Sequence, residues 1–407
     1  MGRPAWILVA GQFVSVIGDG LASVAVLWWV LQTTGSVALM ASVAAILALA
    51  GLLASPIAGV WVDRLDRRSL MIVADGARAA CYGAIALMAF GGRLPLWALV
   101  ALLAVARVLG AAYFPALMAS LPRLVGGGGL TRANGLLSFA QSGGQLLGSA
   151  LGGVLIAAFG VAPALGADAL SFLVSAGSIA LIAIPTERVA AAAGFRAEIA
   201  SGLRYARTSP FLRALAGPSI LINALTNGSM VLLPALAAGP LHAGAQGYGL
   251  LAAGFPLGTL LGSAAVGASG RSVTRAWTLY GMLVVMGGAI AMVGLSHALA
   301  PALAAMAVAG VVGAIANAAV YALMQSGIPD EFQGRVFSLL GGVSQALVPF
   351  SQAAAGALAA VWSVGGVIAA AGAGVAATGL GFGWTGAGPV GDALATAGRS
   401  REHGHSV

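Results

Sequence analysis

Apolar residues run along this chain in blocks too long and too uninterrupted to be one face of a soluble helix. Between Trp6 and Leu31 the only charged residue is Asp19. Comparable blocks follow at 37–61, 69–90, 96–121, 133–158 and 163–185, and after a polar stretch at 211–238, 246–268, 274–296, 300–325, 334–359 and 362–384. At ~1.5 Å of rise per residue, about 20 residues cross a hydrocarbon core ~30 Å thick, so every block is long enough to span a bilayer. In lipid each backbone N–H and C=O must be paired within the protein, and for single long blocks that means an α-helix. The pattern predicts an all-α polytopic membrane protein with twelve transmembrane helices. The first block is expected to be retained: a signal peptide has a shorter apolar core followed by soluble sequence, whereas here the next apolar block follows at once.

Polar residues divide the blocks into two sets of six. The stretch 186–210 holds Glu187, Arg188, Arg196, Glu198, Arg204 and Arg207. The expected organisation is an N-terminal six-helix bundle over 1–185, a cytoplasmic linker over 186–210, a C-terminal six-helix bundle over 211–384 and a disordered cytoplasmic tail over 385–407. The halves echo one another. ALMASLPRL at 116–124 closes the fourth block of the first set and ALMQSGIPD at 322–330 closes the fourth of the second, as expected of a transporter built from two pseudo-symmetric repeats.

Composition agrees, and charge adds a direction. The chain is 60% hydrophobic and 7% charged, against about 25% charged in soluble domains. Its net charge of +8 is not a nucleic-acid signature, because the basic residues are dispersed among short loops. All nineteen are Arg, and sixteen of them fall on the side that Arg64, Arg67 and Arg68 mark as cytoplasmic; Arg78 and Arg107 lie within spans and Arg93 in an outer loop. The positive-inside rule then sets both termini in the cytoplasm. The absence of Lys with abundant Ala, Gly, Val and Arg looks like a high-GC bacterial genome, and the expected location is the bacterial inner membrane. The single Cys81 excludes an internal disulfide or cysteine metal cluster. No GxxxxGK[ST] or HExxH motif is present and His297 is a poor base, so neither an enzyme nor a cofactor or metal site is expected.

The segment GVWVDRLDRR at 59–68 interrupts the apolar sequence between the second and third blocks. It resembles the loop signature of the major facilitator superfamily between transmembrane helices 2 and 3, with Gly59, Asp63, Arg64, Arg67 and Arg68 matching and Asp66 standing where a second glycine is usual. GQFVSVIGDGLA (11–22), ARVLGAAYFPALMASLPRLV (106–125), LTRANGLL (130–137), ADALSFLVSA (167–176) and EFQGRVFSLL (331–340) resemble the macrolide-efflux and enterobactin-exporter branch of that superfamily. The resemblance implies the major facilitator fold, alternating access, and a conformational latch in which Asp63 contacts the start of helix 11 near Arg335. Read from the residues alone, Asp63 can stabilise a helix N-terminus, or the loop can merely set topology. One departure stands in the fifth block: the branch's antiporter signature ends Gly-Pro-x-x-Gly-Gly, whereas this chain reads Gly148-Ser149-Ala150-Leu151-Gly152-Gly153.

Charges inside the spans are the candidate chemistry. Asp19 lies near mid-membrane, where a bare charge costs several kcal/mol, so it is a candidate proton carrier, with Arg107 at similar depth as its expected partner; the alternative is a fixed structural ion pair. Asp75 and Arg78 stand three residues apart and can pair locally. Asp168 is expected near the outer interface as a wetted carboxylate. Gln141 and Gln145, Asn223 and Asn227, and Asn317 and Tyr321 lie in one-face stripes and are candidates for a substrate cavity, or for bonds between helices.

Together these features predict a monomeric secondary transporter that exports an amphipathic small molecule in exchange for protons. The alternatives are a facilitator or importer of the same fold, and a non-transporting membrane scaffold or sensor. Reporter fusions after Arg68, Arg132 and Arg196 should report a cytoplasmic location, and fusions at Arg93 and Gly244 an external one; a cytoplasmic signal at Arg93 would overturn the orientation.

Overall fold

The computed structural model of the chain describes residues 2–125, 129–183, 210–269, 276–328, 336 and 340–385. Residues 186–209 of the expected linker, the tail beyond Thr385 and Arg335 lie outside this set. The first span is α1 (Arg3–Thr34), which ends at Gly35, whose φ of 62° lets its N–H reach Leu31 O at 2.8 Å. Ser36 then caps α2 (Val37–Arg64) by accepting from the Leu39 N–H at 3.2 Å. Asp66 caps α3 (Arg67–Phe90) by accepting from the Ser69 N–H at 2.8 Å. That cap accounts for the acid standing in the usual glycine position of the loop. The Ser69 side chain and N–H hold the Asp66 carboxyl below the ordinary carboxylate range.

Three spans expected to be continuous are broken, and each break precedes a proline. The fourth divides into α4 (Leu96–Gly110) and α5 (Tyr113–Val125), with Pro115 in the first turn of α5. The seventh divides into α8 (Pro210–Met230) and α9 (Leu233–Ala238), with Pro234 in the short second piece. In the eleventh, Leu347 interrupts the helix just before α13 (Val348–Val361) and Pro349. A proline ring clashes with the carbonyl four residues earlier and offers no N–H, so the turn before it opens. The remaining helices are α6 (Leu130–Phe159), α7 (Val161–Ala180), α10 (Gly244–Ser269), α11 (Ala276–Leu295), α12 (Leu299–Gly327) and α14 (Val364–Thr385). Among the described residues, eleven spans are long and apolar enough to cross a membrane. The outer surface is apolar, with Leu53, Val73, Leu87, Leu170 and Leu181 all exposed, as lipid-facing positions must be.

Packing divides the chain into two units, 1–191 with 233–256, and 192–232 with 257–407. In the first, α1 packs against α6 and α7, and α3 against α7 and α4. In the second, α8 packs against α13 and α14, and α11 against α14 and α12. Counted by span, the pairs 1–5, 1–6, 3–6 and 3–4 recur as 7–11, 7–12, 9–12 and 9–10. An offset of six spans maps one packing scheme onto the other, so the two sets of six spans repeat one arrangement.

Small residues make the closest of these contacts. In α6, Gly144, Gly148 and Gly152 recur every fourth residue and meet Val16, Gly20 and Leu21 of α1. A Cβ on Gly20 would stand 2.8 Å from the Cα of Gly148, and one on Gly148 would strike the Ile17 carbonyl. Without a hydrophobic force between helices in lipid, such close backbone approach supplies the attraction. Gly148→Val should therefore destabilise the purified protein by about 1–3 kcal/mol through overpacking, read as a lower thermal midpoint in detergent. Gly76→Ala, where a Cβ meets nothing within 4 Å, should leave the midpoint unchanged; equal loss in both would contradict this packing.

Candidate functional site: a buried charge cluster

Arg78 organises the interior of the first unit. It lies near the middle of α3, and its Nη2 donates to Asp19 Oδ1 on α1 at 2.7 Å. Its Nη1 stands 3.5 Å from Asp75 Oδ1 on its own helix. The guanidinium carbon is 3.7 Å from the centre of the Phe172 ring on α7, a cation–π contact that strengthens when desolvated. Across from α7, a Cβ on Gly110 of α4 would touch the Arg78 side chain at 3.0 Å. One guanidinium is thus bound from α1, α3 and α7, with α4 making room for its side chain at Gly110.

The structure brings Asp19 to Arg78, where the sequence reading paired it with Arg107. Arg107 is exposed on α4 and forms no ion pair among the described residues. Depth along a helix says how far in a side chain sits but not which way it faces, and the two arginines lie at similar depth. The expected local pair of Asp75 with Arg78 is present at ion-pair distance.

Asp168 corrects the sequence reading. It is fully buried, not wetted. One turn before Phe172 on α7, it accepts from the Ser171 hydroxyl at 3.2 Å, and α1 approaches so closely at Gly18 that an added Cβ would strike both Ser171 and Asp168. It is close enough to Asp19 and Arg78 for the three charges to interact. Its burial comes from the glycine opposite it, which its distance from the end of its own helix does not reveal.

The cluster is unevenly solvated. The Asp19 side chain retains 35% of its exposure and Arg78 15%, while Asp75 retains none. Neither oxygen of Asp75 has a hydrogen-bond partner among the described residues, and neither does Oδ2 of Asp168. Below them a buried hydroxyl pair, Tyr113 and Ser175, bonds at 3.0 Å between α5 and α7. Sequence reasoning missed Asp75 and Asp168 as members of the site. The available signal was that these two and Asp19 are the only acids inside the spans.

At the α2–α3 loop the basic residues bind backbone carbonyls of neighbouring helices. Arg67 donates to Ala119 O of α5 at 3.2 Å. Arg68 donates to Ile179 O at 3.3 Å and to Ala180 O at 2.6 Å, capping the carbonyl-rich, partially negative end of α7. Asp63 and Arg64 are exposed at the end of α2, and Gly59 is exposed with no close neighbour. Of the cavity candidates, Gln145 donates to Ser149 one turn on in α6. Asn227 donates to the carbonyl and side-chain oxygens of Asn223. Gln141 is half-buried, and Asn317 and Tyr321 are exposed on α12.

The sequence pattern described as Major Facilitator Superfamily matches residues 8–351. The chain belongs to this superfamily. It is 27% identical over 346 residues to macrolide efflux protein A of Streptococcus pyogenes, covering 84% of this chain and 85% of that one. It is 30% identical over 374 residues to the multidrug efflux pump Tap of Mycolicibacterium fortuitum, covering 88% and 89%. The crystal structure of the nucleoside transporter NupG superposes with a TM-score of 0.74 at 10% identity, covering 94% of this chain and 98% of that one. An inward-facing bacterial homologue of the human lysosomal transporter Spinster gives 0.66 at 14%, covering 97% and 96%. At such identities these structures speak for the fold alone. The protein is a multi-pass major facilitator transporter and not an enzyme.

For a major facilitator with this interior, Arg78 and Arg107 are unequal. Arg78→Met leaves Asp19 and Asp75 without their cation and should cost about 3–5 kcal/mol, seen as loss of yield and a lower thermal midpoint. Arg107→Met should cost clearly less; the reverse order would return Arg107 to the role of Asp19's partner.

Proposed function

We propose that this transporter exports an amphipathic small molecule from a bacterial cell in exchange for protons, and that Asp19 is where the driving proton binds. The observation that carries the reading is the Asp19–Arg78 pair. A carboxylate with a third of its side-chain exposure left, fixed at 2.7 Å to an arginine in mid-span, is reachable by water and tied to a group bound from α1, α3 and α7. Protonating Asp19 releases one arm of Arg78, and that changes the packing among α1, α3, α4 and α7. The efflux for which the two relatives are named supports the direction. The substrate class is proposed as drug-like or macrolide-like on the same ground, together with an interior whose polar groups are mostly uncharged hydroxyls. Arg107, exposed on α4 at the depth of the cluster, is proposed as a second cation that favours the ionised carboxylates. Gln141, Gln145, Asn223, Asn227, Asn317 and Tyr321 are proposed to meet the substrate.

The two six-helix bundles, 1–185 and 211–384, are taken as the moving bodies, joined by the linker 186–210, with both termini in the cytoplasm and the protein working as a monomer in the inner membrane. Asp63, with Gly59, Arg64, Arg67 and Arg68 shaping its loop, is proposed to latch the cytoplasmic face onto the start of helix 11 near Arg335. Its exposure supports this: Arg67 and Arg68 are bound to backbone carbonyls of α5 and α7, and Asp63 is left facing outward.

Everted membrane vesicles test the reading. A proton gradient should drive uptake of a lipophilic cationic dye or a macrolide by the wild type. Asp19→Asn should abolish that uphill uptake and spare downhill exchange, since a neutral amide imitates the protonated acid; gradient-driven uptake retained by Asp19→Asn would contradict it. Asp63→Asn should insert normally and transport slowly in both modes, having lost a charge–dipole term of about 0.3–2 kcal/mol.

A further inference from the structure

Charge counting inside the spans leaves a remainder that Asp19 alone does not use. Two carboxyls, Asp19 and Asp75, flank one guanidinium, Arg78, at ion-pair distance. With every group ionised the set carries one surplus negative charge, and one bound proton makes it neutral. In a water-poor interior an uncompensated charge is far more costly than a neutral carboxyl. Asp168 is served by Ser171 on its own helix. Asp19 holds the short bond to Arg78. Asp75 has no exposure and only the long 3.5 Å approach of the Arg78 guanidinium, with the Ser175 hydroxyl beside it.

We propose that Asp75 is a second proton-binding carboxyl, sealed inside the first unit, which exchanges the Arg78 guanidinium with Asp19. The proposal rests on the reading of Asp19 as the proton's point of entry. In one state Arg78 pairs with ionised Asp19 and Asp75 carries the proton. In the other the proton is on Asp19 and Arg78 pairs with ionised Asp75. Each state contains one guanidinium, one carboxylate and one carboxylic acid, so the trio's net charge does not change and no ion is stranded in the bundle. The geometry is poised for this, because the two arms of one guanidinium already reach the two acids at 2.7 and 3.5 Å. The exposed acid serves as the port and the sealed acid as the store.

The other groups facing the trio fit the assignment. Asp168 and the Phe172 ring present from α7, Arg107 from α4, Tyr82 from α3 itself and Tyr113 from α5. The Tyr113–Ser175 hydroxyl pair lies next to Asp75, within reach of a proton that leaves it. Arg78 is a positioning residue in this scheme, and Asp75 is the site.

Infrared spectra of the purified full-length protein in liposomes test the proposal without any substrate, by reading the C=O stretch of protonated carboxyls. The wild type should show a band that Asp75→Asn removes and Asp75→Glu displaces; the acid-retaining variant keeps the test decisive if the amide variant fails to fold. Asp19→Asn should also abolish the Asp75 band, because Arg78 then has only Asp75 to pair with. Wild-type absorption untouched by the Asp75 variants, or an Asp75 band that survives Asp19→Asn, overturns the proposal. If the bands behave as stated while everted vesicles show no gradient-driven uptake, the transport reading falls and the shared proton stands.

Discussion

One guanidinium in the middle of a helical bundle sets the terms for the rest of the first unit. A charge there is tolerable only if carboxylates meet it, and Arg78 draws Asp19 from α1 and Asp75 from its own helix while Phe172 of α7 covers its face. The helices can approach closely enough to do this because glycine lies at the crossings: Gly18 opposite Asp168, Gly110 beside the Arg78 stem, and Gly20 against Gly148. A Cβ at any of these would push apart the walls of the site. The small-residue pattern and the charge cluster are therefore two parts of one constraint.

The same constraint separates what moves from what holds. Arg67 and Arg68 tie the α2–α3 loop to the middle of α5 and the C-terminal end of α7, and α3, the helix that carries Arg78, begins at that loop with Asp66 as its cap. A shift of α3 is thus felt at the α2–α3 loop by way of a rigid helix. The second unit repeats the packing scheme with almost none of the charge: Arg213, in the first turns of α8, is the one acid or arginine in α8, α11, α12, α13 and α14. Half of the architecture carries ionic chemistry, and the other half offers amides and aromatic groups.

Much of this was legible in the sequence, for physical reasons that also mark where legibility stops. Block length and arginine placement gave the spans because hydrocarbon thickness and the cost of charge in lipid admit few alternatives. The breaks before Pro115, Pro234 and Pro349 were within reach of the same logic but were obscured by apolar sequence that continues through them. The partner of Asp19 was not accessible, since Arg78 and Arg107 share a depth and only helix rotation distinguishes them. Asp168 was misplaced because distance from a helix end was read as exposure, whereas a glycine on a helix far away in the sequence buries it. Asp66 shows the reverse case: a departure from the family pattern that ordinary helix capping explains.

On the proposed function, proton movement and substrate movement in opposite directions are coupled through Asp19 and Arg78. Proteoliposomes containing the purified protein and an internal pH dye, with a macrolide or lipophilic dye supplied on one side, measure this directly. Substrate flowing down its own gradient should drive protons the opposite way in the wild type and drive none in Asp19→Asn. Substrate flux in the wild type with no accompanying movement of protons would contradict the account.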